Sequence, residues 1–296
     1  MKKMNVRKVV RVNRVVIVVM VMMVTVMVHT GAFAQKTVAD LPYHEMQNYS
    51  WMRLATIVPE VTDRIILPVG TVESHGACPI GTDNFIPENL AGLVWNDVNA
   101  LVAPAVNHGV TGASISQFPG SIMIRPEIFQ EYIYDILKDL VRTGFKNILI
   151  INGHGGNTEP MQKAITKLHM ETGAHFMIIS WWETAWNLAE EVYGQKPIQS
   201  GHGDLEEAAL VMSKYPDLID REMYEKLGKD NLGHAGTDKG VIMMPAWATT
   251  RLPETGAGYL DFDVKKAKEY TEKKAKFISD TFNEAVSRWE MMESWK

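Results

Sequence analysis

Short apolar runs that end in glycine or polar residues alternate along the chain with segments of helical periodicity. The run Arg64–Gly70, R-I-I-L-P-V-G, reads as a buried strand. Pro87–Val98 follows as a helix, and Leu101–Val106 as a second strand. Pro126–Thr143 has an amphipathic helical pattern, with Pro at its start and Gly144 just past its end, the asymmetry that helices favour. Lys146–Asn152, K-N-I-L-I-I-N, is an apolar strand, and Thr158–Thr172 is a helix closed by Gly173. His175–Ser180 is a further strand, Asp204–Lys214 a further helix, and Val264–Met292 a long terminal helix. Strands separated by helices predict an α/β fold with a mostly parallel sheet covered on both faces. No internal repeat and no linker divides it. In such sheets ligands bind beyond the carboxyl ends of the strands. Glu73 and His75 come just after the first strand, and His154 just after the strand that ends at Asn152.

The first 34 residues break this pattern. Lys2, Lys3, Arg7, Lys8, Arg11 and Arg14 are followed by an apolar run, Val15–Val28, and then by Ala32-Phe33-Ala34. A basic start, a short apolar run and an A-x-A site have the layout of a secretory signal peptide. The run of 14 residues falls short of the roughly 20 that span a bilayer. Cleavage after Ala34 is therefore expected, giving an exported domain over residues 35–296 with no stable membrane anchor.

Removing those six cations changes the charge balance. The full chain has 30 Lys and Arg against 35 Asp and Glu, so the remainder carries 24 against 35, a formal charge of −11. An acidic chain without a basic cluster does not suit nucleic acid. Cys78 is the only cysteine, so no intrachain disulfide forms.

Three segments carry candidate chemistry. Gly70–Asp83 reads G-T-V-E-S-H-G-A-C-P-I-G-T-D. Glu73 and His75 are two apart and share a side of an extended backbone. Gly76 and Gly81 let the chain turn so that Asp83 returns toward them. One imidazole and two carboxylates are donors suited to Zn²⁺, Mn²⁺ or Fe²⁺. The second segment, I-N-G-H-G-G-N at 151–157, sets His154 among glycines. It is neither G-x-G-x-x-G nor a P-loop. The third, G-H-G-D-L-E-E-A-A-L at 201–210, places His202 in a turn before a helix, with Glu206 and Glu207 near its start. Acids there are favoured by the helix dipole whatever else they do. No G-x-S-x-G is present for a nucleophilic serine. A lone Cys78 is more often inert than reactive. His108, before a Gly-rich loop, is a candidate for lining the cleft, whereas His234 reads as a loop residue.

These segments resemble the creatininase (creatinine amidohydrolase) family. The matching stretches are L-P-V-G-T-V-E-S-H-G at 67–76, G-T-D at 81–83, F-P-G-S at 118–121, N-G-H-G-G-N at 152–157, and H-G-x-x-x-E from His202 to Glu207. The resemblance implies a three-layer α/β/α domain, usually a homo-hexamer, with one or two divalent metals, zinc foremost. It places Glu73 and His154 on one metal and His75 on the other, with Asp83 between them. It makes His202 a catalytic His and Trp182 an aromatic at the substrate. His202 is the candidate proton donor to a leaving amine, and Asn157 and His108 are candidate contacts for a small amide. The chain departs from the pattern at Gly156, where creatininase itself carries a Glu ligand. Glu207 is a candidate for that vacancy, as ligand or catalytic group, and is equally explained by the helix start. Relatives with G-H-G-G-N include deformylases and peptidases, so the substrate stays open.

Overall fold

The computed structural model describes residues 36–112, 115–185, 187–194, 201–225, 233–234 and 260–295. The chain divides into two units, Met1–Lys36 and Thr37–Lys296, and the description concerns the second. The expected signal segment lies outside the described residues.

Four parallel strands form the sheet: β1 (Arg64–Val69), β2 (Leu101–Val102), β3 (Asn147–Asn152) and β4 (His175–Ser180), in the order β2-β1-β3-β4. Arg64 pairs with Asn147 and Val69 with Asn152, so β1 and β3 end at the same level. Side chains alternate between the two faces, and each face has its own core. Ile66, Leu149 and Ile151 pack under α1 (Thr82–Val94), α5 (Leu205–Met212) and α6 (Val264–Glu293). Ile65, Leu67, Ile148 and Ile150 pack against α2 (Pro126–Thr143) and α3 (Thr158–Thr172), through Phe129, Ile133, Leu137 and Met161. The result is the three-layer α/β/α arrangement. A short α4 (Leu188–Tyr193), which the sequence pattern did not predict, lies between β4 and α5. A two-residue antiparallel pair joins Gly201–His202 (β5) to Gly233–His234 (β6). Among the described residues no helix is long and apolar enough to cross a membrane.

Two elements differ from expectation, and both bear on the site. The first helix begins at Thr82, not at Pro87, and Pro87 lies inside it. Proline removes the amide that would bond the carbonyl of residue 83. That freed Asp83 carbonyl lies against the two strand ends, where a Cβ on Gly70 or Gly153 would meet it at 2.2 or 2.0 Å. Glycine at both places is what lets α1 begin in contact with β1 and β3, with Asp83 on its first turn. The second strand ends at Val102, short of the expected Val106. The chain still follows β1 through Ala103 N to Ile66 O and Val106 N to Pro68 O, at 2.8 and 3.0 Å.

Candidate functional site

Glu73, His75 and Asp83 from one segment, His154 from a second, and His202 and Glu207 from a third meet beyond the carboxyl ends of β1 and β3. Glu73, His75 and Asp83 have essentially no solvent exposure, and Glu207 is buried. The two oxygens of Asp83 each face one imidazole: Oδ1 lies 3.0 Å from His75 Nε2, and Oδ2 lies 3.0 Å from His154 Nδ1. Glu73 Oε1 is 3.2 Å from His154 Nδ1 and 3.9 Å from His202 Nε2. Glu207 Oε1 is 3.7 Å from His75 Nε2. The rings of His75 and His202 stack with centroids 4.1 Å apart.

Backbone carbonyls orient both imidazoles of the centre. His75 Nδ1 donates to the Glu73 carbonyl at 3.0 Å, and His154 Nε2 to the Val110 carbonyl at 3.0 Å. A carbonyl can only accept, so in each neutral ring the other nitrogen carries the lone pair. Those lone-pair nitrogens are the ones that face Asp83, Glu73 and Glu207. Both Glu73 oxygens, His75 Nε2 and Asp83 Oδ2 are buried without a hydrogen-bond partner. Buried polar atoms are normally paired, and these atoms converge at 3.0 Å only with positive charge between them, whether protons on the imidazoles or a metal ion. The donor set of imidazoles and carboxylates fits a divalent cation. Among the described residues three groups have ligand atoms within 4.8 Å of one another: Glu73, Asp83 and His154; His75, Asp83 and Glu207; and Glu73, His75 and His202. The first two share Asp83.

The electrostatics point the same way. Burial works to lower His75, but Asp83, Glu207 and Glu73 outweigh it and push the ring up to about 10. His154 is likewise pushed up to about 10 by Asp83 and Glu73 against burial. Burial works to raise Asp83, yet His75 and His154 hold it well below the usual carboxylate range. Glu207 is pushed up to about 8, first by burial and then by Asp83 and Asp204, with His75 opposing. Burial and the neighbouring His75 bring His202 down to about 4, so that its ring is neutral at pH 7. Without a metal the carboxylates thus keep both imidazoles protonated, and a divalent cation would take the place of those two protons.

The supporting shell is built largely from motif residues. Asn152 Oδ1 accepts from His154 N at 3.1 Å, while its Nδ2 donates to Thr158 Oγ1 and Ser180 Oγ. Ser121, the last residue of F-P-G-S, accepts from Ser74 N at 3.1 Å, and His202 Nε2 donates to Ser74 O. The backbone between Glu73 and His75 is thereby held from both sides. Asp204 caps α5 by accepting from Glu206 N and Glu207 N at 3.0 and 3.2 Å. Of the two acids at that helix start, Glu206 turns away to accept from Tyr270 Oη, and Glu207 turns to the cluster.

The remaining expected contacts are distributed unevenly. Asn157, expected to touch substrate, is fully buried and instead clamps backbone: Oδ1 accepts from Val110 N at 2.8 Å and Nδ2 donates to Gly70 O at 3.1 Å. Its role is therefore corrected to holding Val110, the acceptor of His154. His108 is exposed and belongs to none of the three ligand groups. Trp181 is buried in the core, whereas Trp182 is half-buried, and a Cβ on Gly155 would lie 3.9 Å from its Cζ2. The two tryptophans part company on a 3-10 turn, Trp181–Glu183, and not by strand alternation. Cys78 is buried. For His234 only the backbone pairing with Gly201 is described. Gly156 leaves no room for a ligand: a Cβ there would meet the Val110 carbonyl at 2.1 Å and His154 Nε2 at 2.8 Å. The Val110–His154 bond occupies the space from which a side chain at 156 would start.

A family model, Creatininase: Creatinine amidohydrolase, matches residues 47–289. Creatinine amidohydrolase of Pseudomonas putida is 27% identical over 172 residues, 53% of this chain and 66% of that protein. Mycofactocin precursor peptide peptidase of Mycolicibacterium smegmatis is 32% identical over 126 residues, 40% of this chain and 49% of that protein. The chain thus spans between 49% and 66% of the length of these two curated relatives. A solved mutant creatininase of Zn-Zn type superposes with a TM-score of 0.68 at 19% identity, covering 82% of this chain and 98% of that one. A solved creatininase described as the Mn form gives 0.63 at 19% identity, covering 81% and 99%. At such identity the superpositions speak for the fold, and the family match extends over the residues that build the cluster. The chain belongs to the creatininase family.

Proposed function

We propose that this chain is a metal-dependent hydrolase of a small amide or cyclic amide, cleaving a non-peptide C–N bond. The observation that carries the reading is the set of buried, unpartnered carboxylate and imidazole atoms converging around Asp83. Glu73, Asp83 and His154 would hold one divalent cation, and His75, Asp83 and Glu207 a second, zinc or manganese being the metals named for solved relatives. Such a cation supplies Lewis acidity, acidifying water and stabilising negative charge on oxygen. The chain's own residues supply the rest. An amine leaves an amide only when protonated, so one proton must travel from the attacking water to the leaving nitrogen. His202 stands beside Glu73 and His75, with Nε2–H given to Ser74 O. Its Nδ1 is left to accept that proton and pass it on. Trp182, against the His154 loop, forms an apolar wall for the substrate.

A second reading, a deformylase or peptidase, is favoured by Gly156, whose missing ligand separates this chain from creatininase itself, and by the peptidase relative. A non-catalytic metal-binding protein is the third. A hydrolysis panel of creatinine, other cyclic amides, formamides and short peptides separates them. The proposed function predicts turnover of a cyclic or small amide; cleavage of peptides alone supports the second reading.

Export belongs to the same proposal. Lys2–Arg14, the apolar run and Ala32-Phe33-Ala34 support cleavage after Ala34, leaving Gln35 as the first residue. Intact mass of the protein recovered from its native cell envelope checks this; a mass that still includes residues 1–34 sinks it.

A further inference from the structure

The terminal helix α6 carries a feature that the cluster does not use. Lys274 is fully buried in its middle. Its Nζ donates to the carbonyls of Thr184 at 2.6 Å and Trp181 at 3.2 Å, and it lies 5.4 Å from the centre of the Tyr270 ring and 5.9 Å from that of Trp181. Trp181 opens the 3-10 turn Trp181–Glu183, which follows β4 and carries Trp182, and Thr184 is the residue that caps it.

We propose that Lys274 is a positioning residue for the Trp182 wall of the cleft, fixing the turn Trp181–Glu183 by holding the carbonyls of its first residue and of its cap. Three observations carry this. Carbonyls at the end of a helical turn have no amide ahead of them and need another donor. Thr184 Oγ1 supplies one to Trp181 O at 2.9 Å, and Lys274 supplies the others. An aliphatic side chain would fill the same space without the cost of desolvating an ammonium, and such replacements are often neutral or stabilising. What the aliphatic cannot do is bond two carbonyls at once. The turn leads directly to the site, since Trp182 lies against Gly155, the neighbour of His154. One helical turn earlier, Tyr270 donates to Glu206 beside Glu207. The same buried stripe of α6 thus braces both the Trp182 turn and the start of α5.

The part of this that concerns substrate rests on the hydrolase reading; the part that concerns Trp182 does not. The test therefore has two readouts on the full chain. The protein is labelled with 5-fluorotryptophan, and Trp182→Phe identifies the Trp182 signal among the eight tryptophans. Lys274→Met should shift or broaden that signal by more than its linewidth while bound metal stays at the wild-type level. KM for the amide found in the panel should rise about tenfold, with kcat changed less than about threefold, the pattern of lost binding without lost chemistry. Lys274→Gln, which keeps a donor, should fall between wild type and Lys274→Met, and carries the test if the Met variant does not fold. A folded variant with the Trp182 signal unmoved overturns the proposal, as does failure of both variants to fold, which makes Lys274 a residue of stability alone. If the signal moves while no amide is hydrolysed, the hydrolase reading fails and the positioning role stands.

Discussion

Replacing His154 with Ala should strip metal from the protein and abolish turnover. His154 Nδ1 faces Glu73 Oε1 at 3.2 Å and Asp83 Oδ2 at 3.0 Å, and no neighbouring side chain can take its place. Gly153, Gly155 and Gly156 flank it, and any side chain at 156 would run into the Val110 carbonyl. Loss of outer hydrogen-bonding partners alone typically lowers metal affinity about 10–100-fold, so loss of the ligand itself should exceed about 100-fold. The variant also removes one of the two imidazoles that face the buried Glu73 and Asp83, leaving His75 alone beside them, so the metal-free protein should be less stable as well. Elemental analysis of the purified variant decides the matter. Metal content equal to wild type would mean that His154 is not a ligand.

His202→Ala and Glu207→Gln should separate the proton carrier from the ligand. His202 touches the cluster through Ser74 O and stacks on His75, but the two ligand groups that share Asp83 are complete without it. His202→Ala should keep the metal and lose about 10²–10⁴-fold, the usual contribution of a general acid–base group, in kcat more than in KM. His202→Asn keeps a donor for Ser74 O without a proton to transfer, and should be as slow. Glu207 has one oxygen on Gly203 N and the other 3.7 Å from His75 Nε2. If it fills the place that Gly156 leaves vacant, Glu207→Gln should lose about one metal of two. If it serves only the start of α5, both metals stay. Should His202→Ala strip the metal while Glu207→Gln leaves it untouched, the two roles are reversed.

The layers of the fold were legible because a parallel sheet buried on both faces leaves an unmistakable trace. β3 and β4 are continuous apolar runs, and Pro126 and Gly144 mark the two ends of α2. The start of α1 was not legible. Proline usually opens a helix, and only the packing of the Asp83 carbonyl against Gly70 and Gly153 shows why this proline lies in the second turn. The residues of the cluster were visible as motifs because each follows a strand end or a helix start. Their supports were less visible. The acceptors for His75, His154 and His202 are backbone carbonyls of Glu73, Val110 and Ser74. A carbonyl has no residue identity, so no sequence pattern announces it. Asn157 illustrates the converse error: a polar residue in a motif looked like a substrate contact, and its amide is spent on Val110 N and Gly70 O. Lys274 was invisible for a similar reason. A lysine in a helix rich in lysines reads as solvated until the tertiary fold buries it.

If the cluster around Asp83 holds a divalent metal on which hydrolysis depends, activity must follow the metal. The most direct test assays the amide panel with one preparation in three states: as purified, after exhaustive chelation, and after return of zinc or manganese, with bound metal measured in each. Turnover of at least one small amide should disappear with the metal and return with it. Turnover that survives complete removal of the metal, or stoichiometric metal with no turnover of any amide in any state, would contradict it.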